Sequence, residues 1–246
     1  MKKLVAYITS SYPDSAFTID LSLKLAEAGV DYLELGIPFS DPVADGPVIE
    51  KANLKALQSG FKLDELFKMS QEIAPHIKTL WMGYFNPFYH KGIDTFIKQA
   101  SSSGVKGFII PDLPHEEAAF YKPQIEDAGL NLIEFIAPTD SKERIELITK
   151  NAKEFIYMVA YAGITGSKKS EDLNSIIQEV KKHSNTPLFI GFGVNEANAK
   201  EKAQNVDGVI VGSEFVKVLL ESGLNHTQKI DKIATIAKNI KDKINS

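Results

Sequence analysis

Cysteine is absent from the 246 residues, which excludes disulfides, thiolate metal ligands and cysteine nucleophiles together. Histidine is scarce, and the five present are scattered without ligand spacing, so the sequence offers no metal site. Long apolar runs are missing, so no segment is expected to span a bilayer. The amino terminus, Met1-Lys2-Lys3 followed by Leu4 to Ile8, is too short in its apolar part for a signal peptide, and Thr9 to Pro13 breaks it at once. Positive charge is not in excess either: the net charge is -4, which gives no cationic field for nucleic acid. The lysines near the carboxyl end are expected to form a solvated helix face. These absences describe a cytoplasmic, metal-free protein with no membrane segment.

What is present is enough apolar residue for a large core, 43% of the chain. Strand-like runs recur at Leu4 to Thr9, Tyr32 to Leu35, Thr79 to Gly83, Gly107 to Ile110, Asn131 to Ile136, Phe155 to Val159, Pro187 to Gly191 and Gly208 to Val211. Amphipathic stretches fill the gaps, at Ser15 to Ala28, Ile49 to Gln58 with Leu63 to Ile73, Ile93 to Ser102, Glu116 to Ala128, Ser141 to Asn151, Asp172 to Lys182, Glu196 to Gln204 and Glu214 to Leu220. A last helix over Gln228 to Ile244 sets Ile230, Ile233, Ala237, Ile240 and Ile244 on one stripe, which should pack on the outside of the body. Eight strand-helix units with no linker and no low-complexity segment predict an α/β fold, a single (β/α)₈ TIM barrel over residues 1–246, rather than an open doubly wound sheet. The chemistry of such a barrel belongs to the loops after the carboxyl ends of its strands.

One of those loops organises the rest. Glu34 to Pro47 reads Glu-Leu-Gly-Ile-Pro-Phe-Ser-Asp-Pro-Val-Ala-Asp-Gly-Pro. Period-two alternation places Leu33 and Leu35 on one face of the second strand and Tyr32 and Glu34 on the other. If both faces are covered, Glu34 is poorly solvated and its pKa should rise toward that of a working acid or base. Gly36, Pro38, Pro42, Gly46 and Pro47 force a structured loop that returns Asp45 to the same strand end. A plainer alternative stays open at this point, with Glu34 an exposed strand residue and Asp45 a turn or N-cap residue.

Other strand exits carry further polar or glycine clusters. Ala162 to Ser170, after the sixth strand, is long and rich in small residues and is read as a lid. Gly191-Phe192-Gly193 follows the seventh strand and Gly212-Ser213 the eighth, just before a helix. Freed backbone N–H groups, a helix N-terminus and the Ser213 hydroxyl there suit a phosphate dianion. Such glycine pairs are ordinary turn and cap chemistry when met singly. Met82 to Pro87 offers aromatic rings, an amide and a fixed turn, while Asp112 and Thr139 sit near the same mouth. Asp140 is read as a helix N-cap. A flat aromatic substrate with a phosphate tail fits that layout.

Taken together, Glu34 to Pro47, Met82 to Pro87, Gly163 to Gly166, Gly191 to Gly193 and Gly212-Ser213 closely resemble the alpha chain of tryptophan synthase, along essentially the whole chain. The resemblance implies retro-aldol cleavage of indole-3-glycerol phosphate to indole and glyceraldehyde 3-phosphate. Indole would pass to a beta chain in an alpha2-beta2 tetramer, with pyridoxal phosphate in the beta chain and no cofactor in this one. By motif, Glu34 would move protons at the indole C3 and the side-chain hydroxyl, while Asp45 would accept from the indole N–H. Their environments should set their pKa values apart. Gly166, Gly193, Gly212 and Ser213 would hold the phosphate. Thr165 would be the lid threonine that bonds Asp45, Tyr157 the tyrosine near the glutamate, and Tyr84 a further substrate-binding residue.

The sequence departs from that family's pattern in places. Tyr161 stands where an arginine or similar residue is common, and Ser10-Ser11-Tyr12 replaces a glycine-containing turn. The chain begins almost directly with its first strand, without the helix that often closes the barrel floor, so another feature must cover that end. Three rivals are a free-standing indole-3-glycerol-phosphate lyase, a non-catalytic activating subunit, and a different phosphate-binding barrel enzyme. Glu34 and Asp45 together count against the second. The third would want a lysine or a second-strand aspartate at position 34.

Overall fold

The computed structural model describes residues 1–159 and 173–246. Within them parallel strand segments follow one another around a barrel: β1 Lys3–Thr9, β2 Tyr32–Gly36, β3 Lys78–Met82, β4 Gly107–Ile109, β5 Asn131–Leu132, β6 Glu134–Ile136, β7 Ile156–Val159, β8 Leu188–Gly191 and β9 Gly208–Val211. Their hydrogen-bonded order is β5-β4-β3-β2-β1-β9-β8-β7-β6. Only Ile133 separates β5, which pairs with β4, from β6, which pairs with β7. The Ile133 N–H still reaches Phe108 O at 2.9 Å. The two segments are therefore halves of the one strand expected over Asn131 to Ile136, and they close the ring as a (β/α)₈ barrel.

Helices cover the outer face because the strand residues that point outward, such as Leu33 and Leu35, are fully buried and need apolar partners. Most helices lie where the periodicity sets them. An additional helix, Phe85–Lys91, occupies what the sequence reads as a fixed turn. Pro87 is tolerated there because it falls in the first turn, where no intrahelical N–H bond is lost. The stretch expected over Glu196 to Gln204 is helical only over Ala199–Lys202. Asn195 and Asn198 use the preceding residues in side-chain to backbone turns instead. The N-cap expected at Asp140 is Ser141, whose hydroxyl accepts from Arg144 N at 3.3 Å. Asp140 closes its own turn by accepting from Ala137 N at 2.7 Å.

The helix His226–Ile244 buries Ile233, Ala237, Ile240 and Ile244 against the barrel, and a capping box of Asn225 and Gln228 starts it. Its lysines are not all solvated. Lys229 is buried and donates to Leu219 O at 2.6 Å, Lys241 pairs with Asp31, and Lys243 reaches Glu196 at 3.1 Å. These contacts tie the helix to the helix Ser213–Leu220, to the start of β2 and to the segment after β8.

That floor is filled from inside. Tyr32, Phe155 and Phe189 meet with ring centroids 5.5, 5.9 and 4.5 Å apart. Beside them Lys78 Nζ bonds Glu154 Oε1 at 2.9 Å and the Tyr32 hydroxyl at 3.1 Å. Rings and an ion pair thus cover the end that needed a cover. At the opposite end, Ser11 takes a left-handed φ of 54°, a conformation that costs a non-glycine residue about 1 kcal/mol. Its hydroxyl offsets part of this by meeting Ser15 Oγ at 3.0 Å and Glu65 at 3.3 Å.

Candidate active site

The inward positions of β2 are Tyr32 at the floor, Glu34 in the middle and Gly36 at the mouth. Register places Glu34 between Tyr7 of β1 and Leu80 of β3. Glu34 is 2% exposed, and among the described residues its Oε1 has no hydrogen-bond partner. Burial, and secondly the nearby charge of Asp45, push its carboxyl up to about 8. A group so placed is protonated at neutral pH and holds a proton to give.

The loop after β2 is pinned at several points. Ile37 N donates to Met82 O at 2.7 Å and Asp45 N to Pro42 O at 2.9 Å. The Phe39 ring stacks on Tyr84 at 5.4 Å, and Ala44 N donates to the Tyr84 hydroxyl at 3.0 Å. Gly46, not Asp45, is the N-cap of the helix Pro47–Gln58, and no side chain caps it. Asp45 is therefore free of capping. Its Oδ2 accepts from Asn53 Nδ2 at 3.4 Å. Burial pushes Asp45 up to about 6, against the pull of the Tyr84 hydroxyl and the Asn53 amide, with Glu50 adding a smaller upward push. The two acids thus differ in the direction that lets Asp45 ionise first.

Across the barrel, Tyr157 of β7 stacks on Phe135 at 4.9 Å. Its hydroxyl lies over Gly191, where a Cβ would overlap it. Phe192 and Gly193 follow with φ of 66° and 73°, and Gly193 O accepts from Asn198 Nδ2 at 2.8 Å. Gly212 is the N-cap of the helix Ser213–Leu220, again with no side-chain cap. Phe215 N turns back to Gly212 O at 2.9 Å, so among the described residues the first-turn N–H groups left for an anion are those of Ser213 and Glu214.

A cavity of about 170 Å³ joins these parts. Glu34, Asp45, Tyr157, Gly193, Gly212 and Ser213 line it. Tyr84 does not; it is 1% exposed and meets the loop that carries Asp45. Asp112 and Thr139 are also outside the lining, and Asp112 accepts from Phe85 N at 2.9 Å. Thr165 and Gly166, with Tyr161 and the stretch Ala162 to Ser170, lie outside the described residues. Sequence reasoning missed Tyr7, Ile49, Val194 and Ile210 as lining residues, and held Met82 and Phe192 only as members of their strand-exit clusters. Period-two alternation along β1 carries the signal for Tyr7, which shares the inward face with Thr9.

Comparison with known proteins agrees with this geometry. The family model for the tryptophan synthase alpha chain matches residues 1–245. The tryptophan synthase alpha chain of Wolinella succinogenes is 57% identical over 247 residues, covering 100% of this chain and 97% of the relative. Among solved structures, tryptophan synthase subunit alpha from Campylobacter jejuni superposes with a TM-score of 0.86 at 33% identity, over 96% of this chain and 95% of that one. The subunit from Legionella pneumophila gives a TM-score of 0.88 at 32% identity, over 99% and 93%. The chain belongs to the tryptophan synthase alpha chain family, the lyases that split indole-3-glycerol phosphate into indole and glyceraldehyde 3-phosphate and work with a beta chain.

Proposed function

We propose that Glu34 is the acid and base of this cleavage and Asp45 the acceptor of the indole N–H. The observation that carries the assignment is a buried carboxyl, one oxygen of which is unpaired among the described residues, facing the same small cavity as a second, more readily ionised carboxyl. Protonated Glu34 gives its proton to the indole C3, leaving positive character on the ring nitrogen, which ionised Asp45 stabilises. The Glu34 carboxylate then takes the proton of the adjacent side-chain hydroxyl. The bond from C3 to that carbon breaks, its electrons restore the indole, and the carbonyl of glyceraldehyde 3-phosphate forms. Glu34 ends as it began, protonated, so one residue serves both steps.

The phosphate is assigned to Gly193, Gly212 and Ser213, with Gly166 added by resemblance. Two glycine turns and a helix N-terminus can hold a dianion without a lysine. Tyr157 forms a wall beside Glu34. Tyr84 acts on the substrate through Asp45, by holding the loop around Ala44. By resemblance Thr165 bonds Asp45 when the site is closed. Residues 1–246 are read as one barrel domain, working in the cytoplasm in an alpha2-beta2 tetramer whose beta chain carries pyridoxal phosphate. This chain's own steps use side chains alone. Among the described residues no helix is long and apolar enough to cross a membrane.

The test is turnover of indole-3-glycerol phosphate by the parent and by Glu34→Gln. General acid-base catalysis contributes about a hundredfold or more, so the variant should lose at least that in kcat while still binding glyceraldehyde 3-phosphate. Activity within about tenfold of the parent would remove Glu34 from the role.

A further inference from the structure

Tyr7 is the lining residue that spans the two ends of the site. On one side it stands in register with Glu34 across the β1-β2 ladder. Its hydroxyl lies over Gly36, where a Cβ would overlap it. On the other side its ring packs on Gly212, where a Cβ would come within 3.3 Å of the Tyr7 Cβ and 3.4 Å of its Cδ1. The absence of a side chain at both glycines leaves a slot that the tyrosine fills, with its hydroxyl end at the mouth of β2. Tyr157 repeats the arrangement over Gly191 on the far wall. Tyr7 is 4% exposed and lines the same cavity as both carboxylates. Burial, then the charge of Asp45, raise the Tyr7 hydroxyl well above its ordinary range, with Tyr84 and Glu34 adding smaller pushes and the Thr9 hydroxyl pulling the other way. It therefore remains a neutral O–H donor at any working pH.

From this placement we infer that Tyr7 is a substrate-contacting residue whose hydroxyl donates to the glycerol hydroxyls of indole-3-glycerol phosphate, the part of the substrate between the indole at Glu34 and the phosphate at Gly212. The inference rests on the proposed seats for those two ends. A chain of three carbons joins the ring to the phosphate oxygen and carries two hydroxyls, so it has to cross the surface that Tyr7 presents. A phenylalanine in the same slot would offer the same apolar wall and no donor. The Tyr7 hydroxyl thus selects for a hydroxylated side chain over a plain alkyl one.

The experiment pairs Tyr7→Phe with a ligand that lacks both hydroxyls, 3-(indol-3-yl)propyl phosphate. For indole-3-glycerol phosphate, Tyr7→Phe should lower kcat/KM about tenfold, the effect of one lost hydrogen bond in a buried site. The affinity for the propyl phosphate should stay within about twofold of the parent. Equal losses for both ligands, or no loss for the hydroxylated one, overturn the inference. Glu34→Gln is measured alongside. If it remains active, or if the propyl phosphate does not compete with the substrate in the parent, the underlying assignment of the two ends has failed. If those controls behave and Tyr7→Phe does not discriminate, Tyr7 alone has been misassigned.

Discussion

Asn53 Nδ2 donates to Asp45 Oδ2 at 3.4 Å from a position that is 1% exposed, and among the described residues the Asn53 Oδ1 has no partner. An unpaired buried acceptor costs about 1–3 kcal/mol, so this amide is kept for the bond its other end makes. That bond favours the ionised form of Asp45. In the proposed mechanism the active enzyme has Asp45 ionised and Glu34 protonated. The profile of kcat/KM against pH should therefore rise through about 6 and fall through about 8. Asn53→Ala should move the acid limb upward and leave the alkaline limb in place. A profile in which neither limb moves would dissociate Asn53 from Asp45.

Stability should carry the signature of Glu34. Its folded-state pKa is raised from 4.5 to about 8, so between those values the folded chain binds more protons than the unfolded one. The stabilisation is complete below the lower value and is lost as pH climbs through the upper one. Each pH step inside the window is worth up to about 1.4 kcal/mol for a single proton. Urea unfolding of Glu34→Gln should show a shallower decline than the parent, with a difference on the order of 2 kcal/mol accumulating between about pH 6 and about pH 8. Asp45, raised from 3.8 to about 6, acts in the same sense at lower pH in both proteins. Parallel curves would mean that Glu34 is solvated in the folded state.

Gly212→Val should raise KM for indole-3-glycerol phosphate by about tenfold or more, equivalent to about 1.4 kcal/mol or more of binding. The added side chain covers the open end of the helix Ser213–Leu220 and presses on the Tyr7 ring. Affinity for glyceraldehyde 3-phosphate should fall in step, because both ligands carry the same anion. An unchanged KM would place the phosphate elsewhere on the barrel mouth.

A titration with the beta chain tests the link between catalysis and assembly. If Thr165 closes over Asp45 as proposed, the closure costs conformational entropy, and a docked partner that held the closed population would raise the rate. Indole release should increase about fivefold or more on adding the beta chain, and Thr165→Val should blunt that increase while leaving the melting temperature unchanged. Equal rates with and without partner would remove the coupling.

The sequence by itself determined the barrel, because strand and helix periodicities are local properties of side-chain spacing. It also determined which face of β2 carries Glu34, since alternation leaves one choice once Leu33 and Leu35 are buried. Glycine and proline spacing then brought Asp45 back to the same strand end. Other features needed the third dimension. The helix Phe85–Lys91 is obscured by Pro87, and the division of the fifth strand at Ile133 depends on a change of partner between β4 and β7. Tyr84 reads as a mouth residue, yet only packing shows that its hydroxyl serves Ala44 and Asp45 without lining the cavity itself. Tyr7 reads as one apolar residue of an apolar strand. Its place between Glu34 and Gly212 exists only because β2 and β9 flank β1 in the closed barrel. The acidity of the two carboxyls was likewise decided by tertiary structure, because desolvation depends on everything that surrounds a group and not on its neighbours in the chain.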